Sequence, residues 1–295
     1  MVKIDLITGF LGSGKTTFLI KYAKYLISQG EKICILENDF GAVNVDMMLI
    51  DELDCDREMI AGGCDYDCHI RRFKTKLISM AMRGYTRVIV EPSGIYDTDE
   101  FFDVLREDMI EDMYEIGNIF CIYDINTKDL SYESKYILTS EASICGKLII
   151  SKRKNKEKVD LDYINNCLKE FGCIRKFTKE DVIYSDELDF DKISDSSYKQ
   201  YDYIKIRTKD DMNFDSIYLL DKDISIAEIR IKKDILFSKK YGNVIRIKGF
   251  VLENNNWFEI NITQKDETIK PIKEGQKVII IIGENLDKIQ IENMF

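Results

Sequence analysis

The sequence predicts an α/β domain with a mostly parallel sheet, followed by a smaller α+β domain at the C-terminal end. Over residues 1–177, apolar runs of strand length alternate with amphipathic helical stretches, as in a parallel sheet covered by helices. From about Thr178 to Gln200 the chain is rich in Asp, Ser and Lys, which is typical of a surface connection between domains. Beyond it, alternating apolar and polar residues predict a half-buried sheet.

The elements of the first domain follow from its apolar runs and helix stop signals. Strands are predicted at Lys3–Thr8, Lys32–Glu37, Arg87–Glu91, Asn118–Asp124 and Lys147–Ser151. Helices are predicted at Thr16–Gln29 and Ile70–Arg83, each followed by a glycine. In the second domain, alternation places Ile245 and Ile247 on one strand face and Arg246 and Lys248 on the other, and on spacing alone the two charges lie on a solvated face. We expect domains at residues 1–185 and 200–295.

Composition excludes several classes of protein. The 295 residues are 45% hydrophobic and 33% charged, which favours a globular chain over a disordered one. Its 43 basic and 53 acidic residues give a net charge of -10, so we expect neither nucleic acid nor an anionic membrane as partner. Apolar runs such as Val278–Ile282 are far shorter than the roughly 18 residues of a membrane helix. The N-terminal run lacks the pattern of a secretory signal, so a cytoplasmic location is expected.

Residues 9–16 carry a phosphate-binding pattern. The string Gly-Phe-Leu-Gly-Ser-Gly-Lys-Thr satisfies G-x-x-x-x-G-K-[ST] between a predicted strand and a predicted helix, although a simple glycine-rich turn is the alternative. Its backbone N–H groups and the helix N-terminus favour phosphate oxygens. Lys15 would reach the β and γ phosphates, and the Thr16 hydroxyl would ligate Mg²⁺. We therefore predict a P-loop NTPase domain, with nucleotide bound by Gly9, Gly12, Ser13, Gly14, Lys15, Thr16 and Thr17.

Carboxylates follow two other predicted strands. Glu91 ends the apolar run that begins at Arg87, and Glu37 and Asp39 end the run that begins at Lys32. Because ligands lie at the carboxyl ends of parallel strands, we expect these side chains to hold Mg²⁺ or its water shell, or to orient the attacking water. A helix-capping or turn-forming segment after Glu91, and a solvated turn after Glu37, are the alternatives.

These residues together resemble the CobW-like family of P-loop GTPases, relatives of the nickel-insertion GTPases that serve urease and hydrogenase. The resemblance implies a nucleotide-hydrolysing domain with a smaller C-terminal domain, GTP and Mg²⁺ as cofactors, and delivery of metal to, or assembly of, a metalloenzyme or a cobalamin pathway. It places Glu37 and Asp39 in the first switch, and we take Lys15, Asp39 and Glu91 as the catalytic residues. The motifs that carry it are residues 9–17, Glu37–Gly41, Glu91–Gly94 and Arg246–Phe250.

The metal motif departs from the pattern of this family. The family usually has Gly-Cys-x-Cys-Cys, whereas residues 63–69 here read Gly-Cys-Asp-Tyr-Asp-Cys-His. Cys64, Cys68 and His69 could still bind Zn²⁺ or Co²⁺ if a fourth ligand came from Asp67, Glu37 or a client protein. A loop that has lost or changed its metal site is the alternative.

The base-reading motif departs as well. Guanine selection in such proteins uses Asn-Lys-x-Asp after a late strand, whereas residues 151–154 read Ser-Lys-Arg-Lys. We expect Ser151 and Lys152 to lie near the base, but a cation, Lys154, stands where a carboxylate would accept two hydrogen bonds. Since a site without its bidentate contact discriminates poorly, ATP is an alternative to GTP.

Three functional hypotheses follow. The first is a slow NTP hydrolase that serves as a metallochaperone or assembly factor, with a client metalloprotein or cobalamin-related protein as partner and a homodimer as one arrangement. The second is a nucleotide-gated protein-docking module without its own metal site. The third is a P-loop kinase that phosphorylates a small molecule, which the resemblance over nearly the whole chain disfavours.

Overall fold

The computed structural model describes residues 1–39, 53–61, 66–96, 98–205 and 214–295, with the backbone alone at residues 38, 39, 61, 66 and 67. The chain divides into two compact units, Met1–Ile206 and Arg207–Phe295. Among the helices of the described ranges, we find none long and apolar enough to cross a membrane.

The first unit is built on a seven-stranded sheet in the order β3-β2-β4-β1-β5-β6-β7. Every neighbouring pair is parallel, which confirms the predicted α/β class. All five predicted strands are present, and the sequence patterns missed β3 and β7. The strands are β1 (Val2–Thr8), β2 (Ile33–Asp39), β3 (Asp56–Ala61), β4 (Arg87–Pro92), β5 (Tyr114–Asp124), β6 (Lys147–Ser151) and β7 (Val182–Tyr184).

Helices cover both faces of this sheet, so the alternate residues of each strand enter different apolar clusters. In β4, Val88 and Val90 pack in one cluster and Ile89 packs in the other. Burial on both faces explains why β4 is apolar throughout rather than alternating. The helices are α1 (Lys15–Ser28), α2 (Tyr66–Ala81), α3 (Asp99–Leu105), α4 (Asp108–Glu111), α5 (Tyr132–Ile144), α6 (Leu161–Glu170) and α7 (Phe190–Ile193), with a 3₁₀ turn at Lys179–Asp181.

The polar segment Thr178–Gln200 differs from the predicted surface connection. It contains β7, whose register with β6 runs from Leu148 opposite Val182 to Ile150 opposite Tyr184. Tyr198 packs against the core of the first unit. A strand of three residues inside a polar stretch is too short for its period to be recognised, and its pairing with β6 is a long-range contact.

A buried polar network lies in the sheet of the first unit. Asp5 of β1 is fully buried and accepts hydrogen bonds from the Arg87 guanidinium at 2.8 and 3.0 Å. The Tyr22 hydroxyl donates to the same carboxylate at 2.8 Å, and the backbone N–H of Asn118 donates to it at 2.7 Å. These bonds tie β1 to α1, β4 and β5, and they neutralise an aspartate that would otherwise be costly to bury.

The second unit is a five-stranded antiparallel sheet in the order β11-β10-β9-β12-β8 with two helices, which confirms the α+β prediction. Lys248 is buried at 4% exposure, so the prediction that it lies on a solvated face is wrong. Arg246 donates to Asn261 at 3.0 Å. The elements are β8 (Phe214–Leu220), α8 (Ile226–Leu236), β9 (Asn243–Glu253), β10 (Asn256–Thr263), β11 (Glu267–Ile272), β12 (Val278–Glu284) and α9 (Lys288–Asn293).

Candidate functional site

The phosphate-binding pattern forms the turn between β1 and α1. Lys15 is the first residue of α1, and its Nζ donates to the Gly9 carbonyl at 2.9 Å. The Ser13 hydroxyl is buried, and within the described part of the chain it has no hydrogen-bond partner. A buried hydroxyl in this state fits an incoming phosphate oxygen, because buried polar groups are normally paired. Gly12 and Gly14 are half-buried and Thr17 is exposed.

The predicted magnesium residues meet at the edge of the sheet next to this turn. The Thr16 hydroxyl donates to Glu91 Oε1 at 2.8 Å. Glu37 lies directly opposite Glu91 in the register of β2 and β4, and both are buried. A hydroxyl and two carboxylates suit Mg²⁺, which prefers oxygen ligands. The residues present therefore fit the ion that the family implies.

The segment after β4 touches the phosphate-binding turn directly. A Cβ atom built on Gly94 would lie 2.6 Å from the Leu11 backbone nitrogen and 2.7 Å from its Cα. Only glycine permits this approach, since a side chain there would push against backbone rather than a movable group. The position of residues 93–94 is thus coupled sterically to the turn that would hold the phosphates.

The predicted cysteine site is described only in part. Asp39 ends β2, but its side chain lies outside the described residues, and so does Cys64. Cys68 is half-buried in the first turns of α2. Among the residues that the structure describes, no three His, Cys, Asp or Glu side chains form a metal-binding group. The metal prediction therefore depends on residues 62–65.

His69 is fully buried and faces a carboxylate that the sequence patterns did not indicate. Its Nε2 lies 3.3 Å from Glu100 Oε1, and both side chains have 0% exposure. Glu100 belongs to the first turn of α3. Sequence reasoning had no signal for this pair, because the residues are distant in the chain and Glu100 follows Asp99 in the first turn of a helix, where acidic residues are common.

A second set of buried contacts joins α3 and the phosphate-binding turn to α5. Thr98 Oγ1 donates to the Ser140 carbonyl at 3.1 Å. The next residue, Glu141, is fully buried, and its Oε1 accepts from the Thr8 hydroxyl at 3.0 Å and from the Gly9 amide at 3.1 Å. Burial raises the pKa of Glu141 to about 8. The sequence patterns also missed Glu141, since nothing local distinguishes it from a surface helical glutamate.

The predicted base segment lies beside the phosphate-binding turn. The Ser151 hydroxyl donates to the Ser13 carbonyl at 2.5 Å. Lys152 adopts a positive φ of 56° and its Nζ lies 3.0 Å from Asp124 Oδ2. Arg153 stacks 3.9 Å from the centre of the Tyr184 ring. Ser151 therefore lies beside the phosphate-binding turn, and Lys152 is paired with a carboxylate.

Comparisons with known proteins identify similar chains. The zinc chaperone YeiR of Escherichia coli strain K12 is 30% identical over 125 residues, which are 42% of this chain and 38% of YeiR. The zinc chaperone YjiA of the same strain is 22% identical over 160 residues, 51% of this chain and 49% of YjiA. The chain thus matches less than half the length of each of these relatives.

One solved structure and one family profile complete the comparison. The crystal structure of Zn(II)-bound YjiA GTPase from E. coli aligns with 100% of this chain and 98% of that chain, at 18% identity and a TM-score of 0.35. A profile described as CobW/HypB/UreG, nucleotide-binding domain, matches residues 3–178. This match spans more than half of the chain and includes the phosphate-binding turn, Glu37, Glu91 and Ser151. The chain belongs to the CobW/HypB/UreG family, whose nucleotide-binding domain it carries at residues 3–178.

Proposed function

We propose that this protein hydrolyses a nucleoside triphosphate, foremost GTP, and serves as a metallochaperone or assembly factor for a metalloenzyme or a cobalamin-dependent protein. The observation that carries the proposal is the meeting of Lys15, Thr16 and Glu91 at one edge of the parallel sheet. An ammonium, a hydroxyl and a carboxylate are the groups that phosphoryl transfer with Mg²⁺ requires.

The chemistry is positional. When bound, Mg²⁺ would offset charge on the phosphate oxygens, held by Thr16 and by Glu37 or Glu91. Lys15 would leave the Gly9 carbonyl, which it contacts at 2.9 Å, and pair with the β and γ phosphates. Asp39 or Glu91 would orient the attacking water. In this proposal catalysis comes mainly from the fixed positions of these side chains at the ends of neighbouring strands.

The metal is cargo rather than a resident cofactor in this proposal. Zn²⁺ or Co²⁺ would bind Cys64, Cys68 and His69 with a fourth ligand from Asp67, Glu37 or the client. Ala61, the last residue of β3, lies opposite Asp39 of β2, and α2 begins at Tyr66. β3 therefore ends at the sheet edge that carries the candidate nucleotide residues.

Buried contacts support communication between the two ligands. His69 faces Glu100 of α3, and Thr98, which caps α3, bonds to Ser140 of α5. The neighbouring Glu141 holds Gly9. Because packed polar groups have few alternative arrangements, a shift of α3 on loss of the γ phosphate would reach His69.

Hydrolysis is tested by phosphate release from GTP and from ATP. Lys15→Ala is expected to abolish turnover, because the ammonium neutralises charge on the transferred group. Lys21→Ala is the matched control, since Lys21 lies on the same helix and is exposed. Full activity of Lys15→Ala, with Lys21→Ala equally active, would contradict the mechanism.

Cargo binding is tested by titrating Zn²⁺, Co²⁺ and Ni²⁺ into reduced protein, with and without Mg²⁺ and each nucleotide. We expect Cys64→Ser and Cys68→Ser to weaken binding by at least about tenfold. Cys55→Ser serves as the control, because Cys55 is half-buried like Cys68. Equal metal affinity in all the variants would show that the cysteine segment is not the site.

The burial of His69 favours a second candidate. The imidazole has 0% exposure and lies 3.3 Å from Glu100. A carboxylate orients a metal-ligating histidine in this way, but the same contact is made by a buried His–Glu pair that only stabilises the fold. In the latter case the chain is a nucleotide-gated protein-docking module without its own metal. Nucleotide binding together with absent metal affinity in the titration would select this module.

A further inference from the structure

Glu141 lies in the middle of α5 with no exposed surface, and apart from its contact with Gly9 the proposed hydrolysis gives it no chemical role. A glutamate is almost never buried to this degree unless it is paired. Its surroundings therefore define a role that neither the sequence motifs nor the family match assigns.

The contacts of Glu141 converge on the first residue of the phosphate-binding turn. Oε1 accepts from the Gly9 amide at 3.1 Å and from the Thr8 hydroxyl at 3.0 Å. On the other side of the same residue, Lys15 Nζ donates to the Gly9 carbonyl at 2.9 Å. A Cβ atom on Gly9 would lie 2.3 Å from the Ile122 carbonyl. Gly9 is thus held between β5, the carboxyl group and the ammonium.

The charge of Glu141 is poorly compensated. Its Oε2 has no hydrogen-bond partner within the described part of the chain. Desolvation by burial raises the pKa of Glu141, and the nearby Cys145 thiol adds to this effect. Lys15 and the hydrogen bonds from Thr8 and Gly9 lower the pKa, and the net result is a pKa of about 8. Within the described part of the chain, Cys121 of β5 also interacts electrostatically with Glu141, and Arg175 Nη1 lies 3.6 Å from Cys145 Sγ.

We infer that Glu141 is a positioning residue for nucleotide binding. The carbonyl oxygen of its side chain holds the Gly9 peptide by accepting the Gly9 N–H bond, and the Glu141 carboxyl group must be protonated for the triphosphate to bind tightly. The inference rests on the proposed function only for the identity of the ligand.

The requirement for a proton follows from the position of Lys15. In this structure the ammonium beside Gly9 favours the ionised carboxylate. When Lys15 turns to the phosphates, that partner is lost and several negative charges arrive on the far side of Gly9. Both changes disfavour the carboxylate. Nucleotide binding therefore takes up a proton from solvent at Glu141.

The test measures the Kd of Mg²⁺-GTP between pH 7 and pH 9 for the intact chain. With a ligand-free pKa of about 8, the protonated fraction falls from about nine-tenths to about one-tenth, so the wild-type affinity falls about tenfold. Glu141→Gln keeps the acceptor without the charge, and it is expected to bind at pH 7 like wild type and to lose this pH dependence. Glu133→Gln, the same change on the first turn of α5, should keep the wild-type profile.

A structural role alone predicts a different result. If the Glu141→Gln and wild-type profiles run in parallel, the inference is overturned. Glu141→Ala leaves the Gly9 and Thr8 donors unsatisfied and also lacks the titrating group, so it is expected to bind about tenfold more weakly than Glu141→Gln at every pH.

A measurement on the wild type does not depend on the folding of any variant. Calorimetry at pH 8 in buffers of different ionisation enthalpy should show uptake of about half a proton per nucleotide bound, since Glu141 is then half ionised. If no proton is taken up when the nucleotide binds, the inference is overturned. A wild type that binds neither GTP nor ATP at any pH would instead overturn the proposed function, so the two failures are distinct.

Discussion

Removal of the Asp5 carboxylate is expected to destabilise the first unit severely. Asp5→Ala deletes the acceptor of the Arg87 guanidinium, of the Tyr22 hydroxyl and of the Asn118 amide. The Arg87 side chain is 7% exposed, and its Nη2 also lies 3.4 Å from Glu31 Oε1. Breaking a buried ion pair by removing one partner costs roughly 3–5 kcal/mol. That is a large part of the roughly 5–15 kcal/mol by which a domain is stable.

Urea unfolding at pH 7 measures this loss, and the chain supplies an internal reference. Its single tryptophan, Trp257, lies in β10 of the second unit, so tryptophan fluorescence follows that unit while far-UV circular dichroism follows both. We expect the dichroism transition of Asp5→Ala to move to lower urea and the fluorescence transition to stay. Asp103→Ala removes an exposed aspartate and should change stability by less than about 0.5 kcal/mol.

A double-mutant cycle separates the charge from the packing. Arg87→Met in the Asp5→Ala background removes the stranded cation, and it should restore part of the lost stability because well-packed apolar groups replace buried ion pairs at little cost. Two results would refute the reasoning: a loss below about 1 kcal/mol for Asp5→Ala, or a double variant that is less stable than Asp5→Ala.

Three further predictions concern the nucleotide site. Gly94→Ala places a methyl group 2.6 Å from the Leu11 nitrogen, so we expect a strain of about 1–3 kcal/mol and at least about tenfold weaker nucleotide binding in fluorescence titration; unchanged affinity would show that residue 94 moves freely. Glu91→Gln should lower hydrolysis about 100-fold while nucleotide still binds, measured by phosphate release at saturating GTP, and full turnover would leave Asp39 as the water-orienting residue. Lys154→Asp restores a carboxylate at the base-reading position and should raise the ratio of GTP to ATP affinity about tenfold, which competition binding measures; an unchanged ratio would place base selection elsewhere.

The candidate nucleotide residues could be proposed from the sequence because each belongs to a local pattern with a physical cause. Residues 9–16 combine glycines, a lysine and a hydroxyl in one turn, and Glu37 and Glu91 end apolar runs. Strand ends in a parallel sheet meet at one edge, so the register of Glu37 opposite Glu91 follows from the class of fold.

The sequence by itself determined the α/β class, the phosphate-binding turn and the strand-end carboxylates, because helix and strand periods and glycine turns are properties of short segments. Only the tertiary structure decided the partners of buried polar groups. Glu100 beside His69, and Glu141 beneath Gly9, are surface-type residues by local pattern. Their burial depends on which helix packs over which strand, and a carboxylate 132 positions away from Gly9 acquires its raised pKa only when packing removes water from both.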